Sequence, residues 1–380
     1  MQWTILRVAY FDRQNAAVLT DCVATVVSQA QQNPAFHRCF ASRHWLFGPH
    51  IDIYLAYPDP VAAAPALQQW QQQISGWLNA NPSLVVLDES QYLAQSKLLG
   101  EAELLAGPYE PLLQDNSVTQ VEYQPDVALL RDIELVKLKE DYCHQMMPIA
   151  FDLLRLKQQD KTAFLLKLAE MLAIVGHTFA FEGLKRGHLS LRSHLEFFLA
   201  NRDPSGKLRQ HYQQQELQYR TQMDLLLQRL HQQTASLQFY REQDPLLASW
   251  TQLVHQLKSQ VTDIVLRKYD LMRGQQHFDQ LANQRMDVDT NDQPYFKQGQ
   301  FFELMYSQGS DSIMSSREFL IYRTMVNHFY VSLPLLGVSP LDKHLLCALI
   351  ADASERYYQI NWQQMLQKPA KESSHVTTAA

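Results

Sequence analysis

The chain has 380 residues, of which 46% are apolar and 19% charged, and its formal net charge is −6. This length allows one large domain or two ordinary ones with a sizeable core. The acidic balance argues against a broad basic surface for stable nucleic-acid binding. The sequence has no run of about 18 uninterrupted apolar residues, so it predicts no membrane span. Its N-terminus lacks the pattern of a signal peptide.

The four cysteines are scattered and form no C-x-x-C pair. This usage indicates reduced, mostly buried thiols and no zinc or redox site. Together with the absence of targeting patterns, it predicts a cytoplasmic protein.

The first ninety residues alternate between strand and helix patterns. Strands are recognised by apolar runs or by a period of two, and helices by apolar stripes at spacings of three and four. The order strand, helix, strand, strand, helix, strand is that of the ferredoxin-like split unit. In chain order the predicted elements are a strand at 3–11, a helix at 14–31, a hairpin of strands at 36–45 and 50–57, a helix at 61–79 and a short strand at 84–90.

From about residue 133 onward the patterns are mainly helical. Asp244-Pro245 and Ser339-Pro340 each read as an N-cap followed by proline at the first helical position. The predicted fold class is therefore α+β, with a ferredoxin-like α/β lobe at 1–130 and a mainly helical region at 131–366 that completes the same module. The polar tail at 367–380 is predicted to be disordered.

The common cofactor and hydrolase fingerprints are absent from the sequence. It contains no GxGxxG, GxxxxGK[ST], HExxH or GxSxG motif. We therefore expect no nucleotide cofactor, no metal and no Ser-His-Asp triad of the usual type.

The third predicted strand carries an unusual polar face. His50, Asp52 and Tyr54 alternate with apolar residues and therefore point the same way. Such a row can supply a general base, the carboxylate that orients it and a phenolic acid. The alternative is the solvated outer face of a sheet.

Two further places concentrate polar groups among apolar neighbours. In HLSLRSHLEFF, residues 188–198, Arg192 and Glu196 stand four apart and His194 lies between them. This is either an ordinary helical ion pair or an arginine that grips a carboxylate. His328 lies in an apolar helical segment, as a satisfied core residue or as an acid or base beside a cleft.

Four short blocks, in order over nearly the whole chain, resemble a known family. CFASRHWLFGPHIDIY at 39–54 stands where that family reads roughly FFIRYWEGGPHIRLR, and YQPDV at 123–127 where it reads YEPEIERYGG. SLRSHLEFFL at 190–199 matches SFRSHAEAFL, and His328 with Gly337 loosely matches a final histidine block. The chain thus resembles the C-terminal elimination domain of lantibiotic dehydratases, also found as standalone thiopeptide-type bacteriocin biosynthesis proteins.

The resemblance implies a tailoring protein that acts on a ribosomally made precursor peptide. In the family, a glutamylating partner esterifies serine or threonine from glutamyl-tRNA, and the elimination domain then removes glutamate to leave a dehydroamino acid. The glutamate is held by arginines, but those positions are Asp52, Tyr54 and Leu129 here. The acidic position is kept as Asp126 and the histidine as His328.

Three functions therefore stay open on the sequence. The first is glutamate elimination, with Arg43, Arg131 or Arg192 replacing the lost arginines. The second is a [4+2] cyclisation of two dehydroalanines to a pyridine, and the third is a non-catalytic docking partner for a leader peptide. The resemblance also implies a possible homodimer. The residues predicted to be catalytic are His50, Asp52, Tyr54 and His328, and those predicted to bind substrate are Arg43, Asp126, Arg131, Arg192 and His194.

Overall fold

The computed structural model describes residues 1–232, 243–273, 277–286, 299–307 and 315–367. It divides into two compact units. The sheet unit comprises Met1–Phe164, Gln276–Gln293 and Tyr330–Val338, and the helical unit comprises Leu165–Gln275, Pro294–Phe329 and Ser339–Ala380. The fold is α+β and mostly helical, as predicted. Apart from Gln367, the tail predicted to be disordered lies outside the described residues.

One four-stranded antiparallel sheet organises the sheet unit. Its strands are β1 (Gln2–Ala9), β2 (Arg38–His44), β3 (His50–Tyr57) and β4 (Ser117–Glu122), in the order β2-β3-β1-β4. The predicted hairpin is confirmed, because β2 pairs with β3 and His44 lies opposite His50.

The two faces of β3 differ in chemistry as the alternation predicts. Ile51, Ile53 and Leu55 are at most 4% exposed and form the apolar side. On this side Trp70 packs on Phe36, with ring centroids 4.8 Å apart, and Phe36 packs on Tyr57. The apolar face thus holds the sheet against its helices and leaves the other face for polar side chains.

Helices of the sheet unit lie at the two positions predicted for the lobe, 14–31 and 61–79, whereas the helix at Glu89–Glu103 was not predicted. The N-cap Asp59 accepts a hydrogen bond from the Val61 amide at 2.9 Å, and Pro60 begins the next helix. The segments are a π-helical turn (Val18–Val23) that continues as α1 (Ala24–Gln32), α2 (Pro60–Ala80), α3 (Glu89–Glu103), α4 (Val127–Leu130), α5 (Ile133–Gln159) and, farther along the chain, α11 (His277–Met286).

The predicted fourth strand at 84–90 is wrong. This stretch has no strand structure, and the fourth strand is Ser117–Glu122. Asp88 caps α3 instead, accepting from the Gln91 amide at 3.0 Å. Leu84 and Val86 are 87% and 94% exposed, so their strand propensity finds no partner strand.

Asn116 connects this stretch to the beginning of β4. Its side chain accepts from the Ser83 amide at 2.6 Å and donates to the Ser83 carbonyl at 3.0 Å. It does so from a left-handed backbone with φ +58°, a conformation that asparagine tolerates better than most residues. One side chain therefore ties the residue before this stretch to the start of β4.

The helical unit contains helices that the sequence predicted to begin after Asp244 and Ser339. Asp244 accepts from the Leu247 amide at 3.0 Å, and Ser339 forms a capping box with Asp342. The helices are α6 (Lys161–Phe179, whose first turn lies in the sheet unit), α7 (Leu184–Arg202), α8 (Lys207–Gln232), α9 (Pro245–Arg267), α10 (Tyr269–Met272), α12 (Gly299–Ser307), α13 (Arg317–Ser332, which ends in the sheet unit), α14 (Pro340–Tyr358) and α15 (Trp362–Gln367).

Of the helices within the described ranges, α6 is long and apolar enough to cross a membrane by length and composition alone. Within its apolar window, 61% of the residues are buried inside the protein, which is typical of a core helix. All four cysteines are free and buried, as the sequence predicted.

Replacing Asn116 should test how β4 is held. Asn116→Ala removes both hydrogen bonds and leaves a residue that tolerates the left-handed backbone less well than asparagine, so we expect the free energy of unfolding to fall by about 2–3 kcal/mol. Asn116→Gly removes the same hydrogen bonds without the backbone strain and should cost about 1 kcal/mol less than alanine. Urea unfolding measures both, and an equal loss in the two variants would contradict a strained backbone at this position.

Candidate active site on the sheet face

The polar face of the sheet forms the floor of a large cavity in the sheet unit. Strand pairing sets Asp52 opposite Arg7 on β1 and Ser42 on β2, and directly paired residues point to the same face. The cavity has a volume of about 710 Å³. Its wall includes the polar side chains of Arg7, His44, His50, Asp52, Tyr54 and Tyr123.

The sheet face is not solvated, because His50 and Asp52 are each only 3% exposed. The alternative interpretation of the third strand as an outer face is therefore wrong. A buried carboxylate needs a partner, since transferring an unpaired charge out of water is costly.

Arg7 supplies the partner of Asp52. Its Nε and Nη2 atoms donate to the two carboxylate oxygens of Asp52, each at 2.8 Å. Burial raises the pKa of the Asp52 carboxyl, but the two hydrogen bonds from Arg7, together with the proximity of His50 and the positive charge of Arg7, outweigh it, so the pKa lies below its usual value. The cavity thus contains an ionised carboxylate and an arginine that neutralise each other in bidentate geometry.

His50 presents a proton acceptor beside this pair. Its Nδ1 atom lies 2.9 Å from the Gly48 carbonyl oxygen, which can only accept, so in the neutral ring Nδ1 carries the proton. The Nε2 atom then has a free lone pair. It is buried, has no hydrogen-bond partner and lies 3.7 Å from an Asp52 oxygen. If Nε2 takes up a proton, the imidazolium faces a carboxylate that stabilises it.

His44 has the opposite tautomer. Its Nδ1 atom accepts a hydrogen bond from the Leu46 amide at 3.0 Å, so the neutral ring carries its proton on Nε2. Burial and the neighbouring His50 lower the pKa of His44 to about 4. The two rings lie 5.6 Å apart, near parallel. One neutral imidazole can therefore accept a proton while its neighbour can donate one.

Two tyrosines close the side of the cavity. Tyr54 stacks on Phe40 with ring centroids 4.5 Å apart and meets Tyr123 edge to face at 5.4 Å. Burial raises the pKa of Tyr54 to about 12, and burial together with Glu140 raises that of Tyr123. Both phenols stay protonated at neutral pH. They also border a smaller cavity of about 110 Å³, so the two cavities meet at this pair.

A second acid–arginine pair lies at the cavity wall. Arg285 donates to Asp126 at 2.6 and 3.2 Å. Asp126 also caps the short helix α4 by accepting from the Leu129 amide at 2.9 Å. Burial raises the pKa of Asp126, but Arg285 and the Leu129 amide lower it more, so the net pKa is depressed.

The predicted site residues separate into three groups. His50, Asp52, Tyr54 and Asp126 line one cavity. Arg43 and Arg131 belong to the same unit but are not among the lining residues. Arg43 lies opposite Ile51 and therefore on the other face of the sheet.

The remaining predicted residues belong to the helical unit. His328 lies 2.6 Å from the Thr324 carbonyl through Nδ1, and Arg192 binds Glu355 at 2.6 Å as well as Asp352. His194 is buried, and burial with the neighbouring Lys343 and Arg323 lowers its pKa to about 3. Each of the three has contacts inside this unit, and their roles stay predictions.

Sequence reasoning missed Arg7 and Arg285 as members of the site. Arg7 had a usable signal, because it is the single charged residue in the apolar run WTILRVAYF. A charge in a strand buried on both faces needs a partner of opposite charge. Asp52, the carboxylate in the polar row of the third strand, was available as that partner. Arg285 lies far along the chain and had no such signal.

The chain belongs to the family described as lantibiotic biosynthesis dehydratase C-term, which it matches over residues 3–353. The resemblance found in the sequence is therefore confirmed. A comparison with curated proteins found no match.

Solved structures share the fold at low sequence identity. One is described as "Pyridine synthase, TbtD, from thiomuracin biosynthesis", with a TM-score of 0.69, 21% identity, and coverage of 95% of this chain and 100% of that one. TsrL has a TM-score of 0.66, 17% identity, and coverage of 98% and 99%. The tRNA-dependent lantibiotic dehydratase MibB from Microbispora sp. 107891 has a TM-score of only 0.46 and 13% identity. That match covers 94% of this chain and 28% of the MibB chain.

Within the described ranges, no group of three His, Cys, Asp or Glu side chains is placed to hold a metal ion.

The lowered pKa of His44 gives a pH-dependent stability. The ordinary value of 6.5 applies to the unfolded chain, and the folded value is about 4. Between these values the unfolded chain binds a proton that the folded chain does not, so stability falls as the pH falls from about 6.5 to about 4. His44→Gln should make this loss shallower, measured as the free energy of unfolding in urea at pH 7, 6, 5 and 4. His37→Gln, at an exposed histidine of the same unit, is the composition-matched control. A wild-type slope in His44→Gln would count against a buried neutral His44.

Proposed function

We propose that this protein is a tailoring enzyme of ribosomally synthesised peptides, and that it joins two dehydroalanines of a precursor peptide into a pyridine ring. One observation carries this proposal. The cavity pairs a neutral proton acceptor, His50, with a neutral proton donor, His44, while its arginine is already bound to Asp52. The fold shared with a pyridine synthase supports the same chemistry.

The reaction requires proton transfers and no external oxidant. The four-atom component is C=C–N=C, formed by one dehydroalanine and the iminol tautomer of the amide that precedes it. The two-atom component is the C=C bond of the second dehydroalanine. Two carbon–carbon bonds form and close a six-membered ring that carries a hydroxyl group. Loss of water and loss of the leader peptide as its amide each remove one ring hydrogen, and the aromatic pyridine remains.

The cavity residues fit these steps in distinct roles. His50 Nε2 accepts the proton that must leave nitrogen or carbon, and Asp52 at 3.7 Å stabilises the resulting imidazolium. His44 Nε2–H donates to the amide oxygen as it becomes the iminol hydroxyl and later departs as water. Tyr54 and Tyr123 offer flat walls to a planar substrate, and Tyr54 also offers a protonated hydroxyl group, whereas the Tyr123 hydroxyl donates to Glu140 at 3.0 Å.

Glutamate elimination has less support from the same geometry. A departing glutamate needs a free cation to stabilise its carboxylate. Arg7 and Arg285 line the cavity, but each binds a carboxylate of the protein through two of its three guanidinium nitrogens. The positive charge that would hold glutamate is therefore compensated before any substrate binds.

Several finer expectations remain part of this proposal. The precursor peptide is the expected partner, with a glutamylating enzyme acting before it and a homodimer as the expected assembly. His328 as a catalytic residue and Arg131, Arg192 and His194 as substrate-binding residues remain predictions. The ferredoxin-like description of the lobe is also a proposal, supported by the strand order β2-β3-β1-β4.

The direct test is mass spectrometry of two peptides incubated with the purified protein. One peptide carries two dehydroalanines behind a leader, and the other carries a glutamyl ester on serine. We expect the first to lose water and the leader, and the second to stay unchanged. Loss of glutamate from the second peptide, with no change in the first, would replace cyclisation by elimination as the function.

His50→Gln should separate catalysis from binding. Removing the proton acceptor should lower kcat by about 10²- to 10⁴-fold with a smaller change in KM. His37→Gln removes an exposed histidine of the same unit and should retain wild-type turnover. Circular dichroism checks that both variants fold. Turnover of His50→Gln within about twofold of wild type would rule His50 out as the proton acceptor.

A further inference from the structure

Arg43 stands out because its charge lacks compensation. It lies on the sheet face opposite the cavity just described. Among the residues that the structure describes, no hydrogen bond or ion pair is formed by its guanidinium group. Burial, with the nearby positive charge of Arg13, lowers the pKa of Arg43 to about 10. A partly buried arginine without an acidic neighbour is unfavourable unless something else supplies the negative charge.

Lys157 brings a second cation to the same place. Its Nζ atom donates to the carbonyl oxygens of Leu336 and Gly337, both at 2.8 Å. A β-carbon at Gly337 would lie 3.0 Å from Lys157 Nζ and 3.3 Å from Arg43 Nη1. The two cationic nitrogens are therefore within the sum of these distances, 6.3 Å, of each other. Like charges this close repel unless an anion lies between or beside them.

The cluster is open to solvent. Arg13 and Gly337 are exposed, while Arg43 and Lys157 are partly buried. Arg13 is held by a hydrogen bond from Nη2 to the Tyr92 hydroxyl at 3.3 Å and lies over the Tyr92 ring. A β-carbon at Gly337 would crowd Arg43 Nη1 and Lys157 Nζ, so the glycine lets the backbone pass close to both cations.

We propose that Arg13, Arg43 and Lys157 form an oxyanion site, and that it binds a carboxylate from an acidic segment of the peptide substrate. A guanidinium fork beside an ammonium group matches the geometry and charge of a carboxylate. Naming a peptide as the source of the carboxylate rests on the proposed function, whereas anion binding by these three cations does not. The site would hold the peptide on one face of the sheet while the reacting residues enter the cavity on the other.

Isothermal titration calorimetry tests this site with defined probes. We expect acetyl-Glu-Glu-Glu-amide to bind the wild-type protein and acetyl-Gln-Gln-Gln-amide not to bind. Arg43→Gln should weaken binding of the acidic peptide at least about tenfold, because it removes the fork. Arg155→Gln makes the same change of charge on the same helix as Lys157, at a side chain that is 54% exposed and paired with Asp152. It should alter the affinity less than about twofold.

A second measurement separates binding from a structural role. Removing an uncompensated charge should stabilise the protein, so Arg43→Met should raise the Tm in anion-free buffer. It should also abolish the rise in Tm that the acidic peptide causes in wild type. A lower Tm for Arg43→Met in anion-free buffer would mean that Arg43 is structurally satisfied and would overturn the proposal.

Other outcomes also decide the matter. No binding of the acidic peptide, or equal weakening by Arg155→Gln, would overturn the site. Binding of inorganic phosphate without the acidic peptide would overturn the peptide carboxylate as the ligand. Calorimetry with the tripeptides measures carboxylate binding without turnover, and the cyclisation assay measures turnover, so a failure of the proposed function is distinguishable from a failure of this site.

Discussion

The contact between Arg7 and Asp52 is the constraint on which the candidate site depends. A carboxylate that is 3% exposed is tolerated only when it is paired and hydrogen-bonded. Arg7 meets this requirement from the adjacent strand with two hydrogen bonds of 2.8 Å. The pair links β1 to β3, and His50 lies beside Asp52 because the two are neighbours on the same face of β3. It also leaves the cavity with almost no net charge, which suits neutral histidines.

This pair also explains how the chain departs from the family pattern. The family carries arginine at the position of Asp52, whereas here the arginine stands across the strand pair at position 7. A positive charge is therefore still present at the site, but it is compensated inside the protein. For the proposed function, this compensation weakens the binding of a departing carboxylate and favours proton transfer between neutral groups.

Strand β2 serves two separate regions through adjacent residues. His44 points to the cavity with His50, and Arg43 points to the opposite face toward Lys157 and Gly337. Such a division follows from the period of two in a strand. Because the residues are neighbours in sequence, a substitution at one can disturb the other, which is why matched control variants away from β2 are needed.

The sequence by itself determined the features that depend on local periodicity. The strand at 50–57, its hairpin with β2 and the row of His50, Asp52 and Tyr54 followed from alternation, and the helix starts at Asp244 and Ser339 followed from their caps. Tertiary structure decided which distant groups meet. It paired Arg7 with Asp52, brought Arg285 to Asp126, and placed the fourth strand at 117–122 instead of 84–90. Periodicity reports which side of an element is buried, whereas strand partners and charge partners are chosen by competition among residues far apart in the chain.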